Sequence, residues 1–395
     1  MVVCLKGFDD AFKDLERPFA WLHLDALDAN IQYVQKQCGN QQIRIATKSV
    51  RSIEVLRYIQ QRLSNCSGFM SFTASETLYL LEQGFDNILI GYPVYEERAI
   101  EQIGQLVKQG RKVFFMVDDI AQAALLQKIA SHQMITFEIC LDINVSTDYK
   151  WLYFGTKRSP IDSLAKLNRL VDRLRQLPNI KVTGCMAYDA QIAGVTDATN
   201  ALFGMKDRFV RALKKRSIEG ITTLRQQVVN YLRERFEIEI VNAGGTGSMH
   251  LLSEAPDITE ITVGSAFYAP ALFSNYQDLQ LQPAAGFALR ITRKFAHNVV
   301  VCHGGGYIAS GVPENDRLPQ FLEPDVYAYS SLEGAGEVQT PIIVKGREHE
   351  IGDTIYFRHA KAGELCERFN ELHTVRQGSY AGTFNTYRGD GKCFL

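Results

Sequence analysis

From Ile43 to about Tyr268 the chain repeats one pattern eight times. Each repeat is a short apolar run rich in β-branched and aromatic residues, followed by a longer stretch with apolar residues at three- and four-residue spacing. The strand candidates are Ile43–Thr47, Cys66–Met70, Asn87–Gly91, Lys112–Val117, Thr136–Ile143, Ile180–Met186, Ile238–Asn242 and Thr259–Gly264. Ser52–Leu63 and Ser75–Gln83 exemplify the helical stretches between them. Eight strands alternating with helices predict an α/β fold, a closed (β/α)8 TIM-type barrel whose active site gathers at the C-terminal ends of the strands. An open doubly wound sheet would give a similar string, so the placement of chemistry-bearing residues has to discriminate.

After about Pro283 the texture changes to short alternating stretches, Phe287–Ile291, Asn298–Val301, Ile342–Lys345 and Thr354–Phe357, separated by Gly- and Pro-bearing turns. Phe19–Leu24 is also strand-like and is free to pair with them. The expected organisation is a barrel over residues 25–275 and a β-rich domain built from residues 1–24 and 276–395. With 395 residues, 46% of them hydrophobic, the chain can fill cores of this size without disulfides or a structural metal.

Lys and Arg total 43 against 44 Asp and Glu, a net charge of -1, so no global field points to nucleic acid or an anionic membrane. The basic run Lys206, Arg208, Arg211, Lys214, Lys215 and Arg216 has helical spacing and reads as a solvated face diluted by Asp207 and Glu219. No apolar run reaches the length of a membrane span, and the N-terminal segment lacks the apolar core of a signal peptide. The eight cysteines, scattered from Cys4 to Cys393, form no Cys-x-x-Cys pair, which fits a reducing cytoplasm. The expected partner is a small molecule.

Two motifs carry chemistry. The first strand ends in Ala46-Thr-Lys48-Ser, which places Lys48 where an enclosed amine could form a Schiff base, although an ordinary surface lysine would satisfy the same pattern. The seventh strand runs into Gly244-Gly245-Thr246-Gly247-Ser248. There, adjacent glycines admit a phosphate to backbone N–H groups, two hydroxyls add donors, and the start of a helix adds its dipole. A tight turn is the alternative. A lysine after strand one and a phosphate cradle after strand seven suit a phosphorylated aldehyde cofactor bound covalently to the lysine.

With these motifs the chain resembles the fold-type III pyridoxal-phosphate enzymes, and among them the D-threonine aldolase and D-serine dehydratase group. The matching pieces are Pro18–Asn30, Ala46–Ser49, Gly184-Cys-Met-Ala-Tyr188-Asp189 and Gly244–Ser248. The resemblance implies an alanine-racemase-like barrel followed by a β domain, pyridoxal 5'-phosphate on Lys48, and a homodimer with active sites near the subunit interface. It implies that Lys48 also moves protons at the substrate α-carbon. Tyr188 and Tyr268 are counted with the cofactor residues.

Two positions depart from that pattern. Asp189 stands where relatives commonly carry histidine; its carboxylate could accept a proton from a substrate hydroxyl, or simply cap a turn. In Arg358-His359-Ala360-Lys361, the lysine replaces the second ligand of a His-x-Cys or His-x-Asp metal pair. Because a protonated lysine is a donor, no metal is expected, with His359 and Lys361 acting on the substrate directly. Pairing of His359 with Cys366 is the competing arrangement. In Val301–Tyr307 three consecutive glycines flank His303, as a strand bulge or as one wall of the site. The expected function is a lyase acting on a small D-3-hydroxy amino acid by retro-aldol cleavage or dehydration. The alternatives are an amino-acid racemase using one of Tyr307, Tyr327 or Tyr329, and a non-catalytic cofactor carrier.

Overall fold

A computed structural model describes residues 7–199, 204–312 and 314–395. Cys4 therefore lies outside the described residues. Eight parallel strands form a closed barrel: Gln42–Ala46, Cys66–Ser71, Ile88–Ile90, Val113–Val117, Phe137–Asp142, Ile180–Ala187, Ile240–Ala243 and Glu260–Val263. Each falls on an expected strand. Closure pairs the eighth strand with the first, with Thr262 opposite Arg44, and so excludes the open sheet.

Alternation along each strand sorts the side chains. On the first strand Ile43 and Ile45 pack outward against the helices, while Arg44 and Ala46 point into the ring. Met70, Leu89, Phe114, Met116, Cys140, Met186 and Ile240 fill much of the interior. A charged pair completes it: the Arg44 guanidinium donates to both carboxylate oxygens of Glu260 at 2.6 and 2.9 Å, and the residues are 1% and 3% exposed. Arg44 also donates to the Asn87 and Phe69 carbonyls at 2.7 and 3.0 Å. Gly68 makes this possible, since a Cβ there would lie 2.2 Å from the Asn87 carbonyl oxygen and 3.1 Å from Arg44 Nη1.

Short polar residues turn the chain from strand to helix. Ser52 accepts from the Val55 N–H and Thr73 from the Glu76 N–H, and Asp119 makes a reciprocal capping box with Gln122. The helix Met205–Arg233 carries the basic run; Lys214 departs from the expected solvated face, being buried and paired with Asp197 at 2.6 Å.

Phe19–His23 lies antiparallel to Ala285–Ala296 and parallel to Glu371–Arg376 in a largely antiparallel nine-stranded sheet, as its strand-like pattern led us to expect. From this sheet the chain returns to the barrel. The Tyr387 N–H donates to the Arg51 carbonyl at 2.8 Å, its hydroxyl donates to Glu76 at 2.9 Å, and Phe394 packs on Phe72, Tyr79 and Tyr387.

Removing one partner of a buried ion pair leaves an uncompensated charge, at a cost of about 3–5 kcal/mol, whereas replacing both by apolar residues is often nearly neutral. Glu260→Ala should therefore lower unfolding stability by about that amount, with Arg44→Met/Glu260→Met much closer to the parent; urea unfolding of the three proteins measures it.

Candidate active site

The turn Thr47–Ser49 carries Lys48 out of the first strand and is held from several sides. Thr47 donates to the Met70 carbonyl at 2.9 Å, and Arg51 Nε donates to the Lys48 carbonyl at 3.0 Å. Arg51 is itself paired with Glu367 at 2.6 Å. Gly363, at φ +86°, presses against the same carbonyl so closely that a Cβ would lie 1.9 Å from its oxygen. Lys48 Nζ lies 2.5 Å from the Tyr92 hydroxyl. The sequence led us to expect an enclosed lysine; within one chain Lys48 is exposed, standing at an open mouth.

Lys48 lines a cavity of about 170 Å³ with Tyr92, Arg158, Tyr188, Asn242 and Gly244–Thr246. Gly244 adopts φ +73°, where a Cβ would also meet Leu252 at 2.5 Å, so this corner of the loop requires glycine. The Thr246 hydroxyl oxygen accepts the Ala266 N–H at 3.1 Å, which leaves its hydrogen to donate. Asn242 is fixed by donating to Glu260 at 2.8 Å and Thr262 at 2.7 Å. Burial pushes the Tyr188 hydroxyl up to about 12. A chamber of about 320 Å³ shares Gly91, Tyr92, Arg158, Met186 and Tyr188 with this cavity and adds Asp118, Gln122 and Asp142.

The remaining residues singled out in the sequence lie elsewhere. Ser248 is fully buried, accepts the Gly245 N–H at 3.2 Å and donates to Asp189 at 3.0 Å; it braces the loop from within rather than lining the cavity. Gly247 faces Ala193 and Tyr276, each 2.6 Å from where its Cβ would be. Asp189 is not among the residues lining the Lys48 cavity; it lies at a separate cavity of about 280 Å³ beside Ile221 and Arg225. Tyr268 is fully buried and donates to the Val50 carbonyl at 3.1 Å; it supports the Lys48 turn from beneath. The helix after the loop, Met249–Leu252, has a single turn, so an anion held at the loop would rest on N–H and hydroxyl donors rather than on a helix dipole.

His359 and Lys361 line a fourth cavity, of about 370 Å³, with Tyr307, Ser310 and Arg368, and it shares no wall residue with the Lys48 cavity. The His359 ring bonds to the Ala285 carbonyl at 2.9 Å through Nδ1, which must carry the hydrogen; Nε2 is buried without a partner. Lys361 donates to Ser310 at 2.7 Å. His303 is exposed at a strand end, Tyr327 bonds His349, and Tyr329 donates to the Pro319 carbonyl. Tyr92, Asn242, Ser49 and Ser265 were missed although all four sit at or just beyond barrel-strand ends; Arg158, in a long loop, had no sequence signal.

Residues 22–271 match the family described as "Alanine racemase, N-terminal domain". The chain belongs to the alanine racemase N-terminal domain family. Pyridoxal phosphate is the cofactor of that family. The residues present fit the group: an amine for its aldehyde, hydroxyl and N–H donors opposite for its phosphate, and an aromatic wall in Tyr188. A search of curated proteins finds no match. Among solved structures, a D-threonine aldolase from Filomicrobium marinum is similar with a TM-score of 0.78 and 18% identity, over 96% of this chain and 97% of that one. The D-threo-3-hydroxyaspartate dehydratase from Delftia sp. HT23 gives 0.74 and 16%, over 95% and 98%. An alanine racemase from Clostridium difficile gives 0.65 and 13%, over 94% and 99%. At these identities the likeness concerns the fold.

A mutant of a D-threo-3-hydroxyaspartate dehydratase has been solved in a metal-free form. Lys361 cannot be a ligand, Cys366 contacts the Tyr268 hydroxyl with its thiol pushed up to about 12 by burial, and among the described residues no group of three or more His, Cys, Asp or Glu could hold an ion.

Burial lowers the His359 ring from 6.5 to about 4. A base depressed in the folded state contributes stability that is present above its unfolded value and is lost as pH falls through about 6.5 toward 4, here by up to about 3 kcal/mol. Urea midpoints at pH 7 and pH 4.5 should therefore drop less for His359→Gln than for the parent.

Proposed function

We propose that this chain is a pyridoxal-phosphate-dependent lyase that acts on a small D-3-hydroxy amino acid, by retro-aldol cleavage or by loss of water. The observation that carries the proposal is the single cavity joining Lys48 to the Gly244–Thr246 loop. Likeness over nearly the whole chain to an aldolase and a dehydratase supports the choice of reaction. When bound, the cofactor serves as an electron sink for the bonds at the substrate α-carbon.

Lys48 would supply the amine that anchors the cofactor and would move the proton at the α-carbon. Gly244, Gly245 and Thr246 would hold the phosphate, and Tyr188 would orient the ring. Asn242 is pinned by Glu260 and Thr262, so it presents a fixed amide to the cavity. Arg158, exposed where the cavity meets the side chamber, favours an anionic ligand there. Because Lys48 is open to solvent in one chain, water exclusion falls to a second copy, and we infer a homodimer in the cytoplasm. Lys361 and His359 line a separate cavity within one chain, so they would act on the substrate only if that dimer brought their cavity to the Lys48 mouth, where Lys361 would supply positive charge next to the substrate hydroxyl with His359 beside it.

With the cofactor added, the protein should absorb in the visible, and borohydride reduction should leave a phosphopyridoxyl group on Lys48. Peptide mapping that finds it on another lysine removes the proposal. Products from a panel of D- and L-amino acids separate the branches: an aldehyde with glycine means cleavage, an oxo acid with ammonia means elimination, and the opposite enantiomer means a racemase.

Activity should survive exhaustive chelation and fall at least about tenfold in Lys361→Ala, the size of one lost charged contact. If chelation abolishes turnover and manganese or zinc restores it, Lys361 does not replace a metal.

A further inference from the structure

The loop after the seventh strand does not hold its own shape. Gly245 donates its N–H to Ser248 Oγ at 3.2 Å, and Ser248 gives its one hydroxyl hydrogen to Asp189 Oδ1 at 3.0 Å. Asp189 belongs to a different element, the turn that follows the sixth strand. Both residues are buried, at 5% and 0% exposure. The cations nearest the carboxylate are committed elsewhere: Arg225 to Asp257 at 2.6 and 3.2 Å, and Lys214 to Asp197 at 2.6 Å. Asp189 is therefore not part of a salt bridge.

We propose that Asp189 is a positioning residue that sets the phosphate-binding shape of the Gly244–Ser248 loop by fixing the Ser248 hydroxyl. A serine hydroxyl has one hydrogen and rotates freely unless an acceptor selects one orientation. With the hydrogen drawn to Asp189, a lone pair faces the Gly245 N–H, and that N–H is turned into the loop. Gly244 and Thr246 then keep the positions in which they line the cavity. Without the acceptor, the Ser248 hydrogen would compete for the same direction as the Gly245 N–H, and the loop would lose its internal bond. Burial pushes the Asp189 carboxyl up to about 7, so much of it is neutral near neutrality. A neutral carboxyl oxygen still accepts the hydroxyl without placing a full negative charge behind a phosphate site.

The inference rests on the cofactor reading above and adds a residue that touches neither cofactor nor substrate. Cofactor-free protein is titrated with pyridoxal phosphate and, separately, with pyridoxal, which lacks the phosphate, following the visible band. Asp189→Ala and Ser248→Ala should each weaken pyridoxal phosphate binding about tenfold, the size of one buried hydrogen bond, and leave pyridoxal binding unchanged. The double variant should be no worse than either single one, and Asp189→Asn, whose amide oxygen can still accept from Ser248, should bind like the parent. If Asp189→Ala does not fold, Ser248→Ala and Asp189→Asn read the same brace. Equal affinity of the Ala variants and the parent for the phosphorylated ligand overturns the inference, and so does an equal loss for both ligands. A parent protein that binds neither ligand overturns the functional proposal instead.

Discussion

The Arg44–Glu260 pair sits on the seam where the barrel closes. Arg44 belongs to the first strand and Glu260 to the eighth, neighbours in the ring but over two hundred positions apart in the chain. A parallel barrel has no short-range device to bring its last strand to its first, and a buried, bidentate pair is directional where apolar packing is not. Asn242 extends the network to the seventh strand through the same carboxylate. Strands seven, eight and one are thereby registered against one another, and their C-terminal ends carry the Gly244–Ser248 loop, Ser265 and Lys48. That Lys48 and the Gly244–Thr246 loop face one cavity is a consequence of how the ring is closed.

A second constraint comes from outside the barrel. Gly363 and Glu367 reach the Lys48 turn from the β-rich sheet side, and Tyr387 grips the next residues of the same turn through the Arg51 carbonyl. Tyr268 supports it from the barrel side. A lysine on a three-residue turn would otherwise sample many positions. Here its backbone is held by four elements while its side chain remains free at the cavity mouth, an arrangement suited to a group that must bind and then move protons.

His359 and Lys361 form a separate polar pair in the β-rich half of the chain. The histidine is prepared as a metal ligand would be, its Nδ1–H anchored on a backbone carbonyl and its Nε2 lone pair unused. The residue two positions on is a donor, bonded to Ser310 and near Glu364. The cavity they line thus pairs a histidine whose Nε2 has no partner with a lysine donor.

The chain's periodicity determined the eight strands and their order, because burial on both faces leaves parallel strands as short continuous apolar runs, and it marked Phe19–Leu24 as strand-like while leaving its partner to the tertiary structure. Lys48 and the glycine loop were legible for a related reason: residue type and position at a strand end together narrow the chemistry. What the tertiary structure decided was which side each residue faces. Ser248 and Asp189 lie within motifs that read as cofactor-binding and catalytic, and the fold turns both inward to bond one another. Tyr92 and Arg158 carry no motif, yet loops of unpatterned sequence deliver them to the cavity. Arg44 and Glu260 look like surface charges in a one-dimensional reading. Only closure of the ring puts them within 3 Å, in an interior where neither could stand alone.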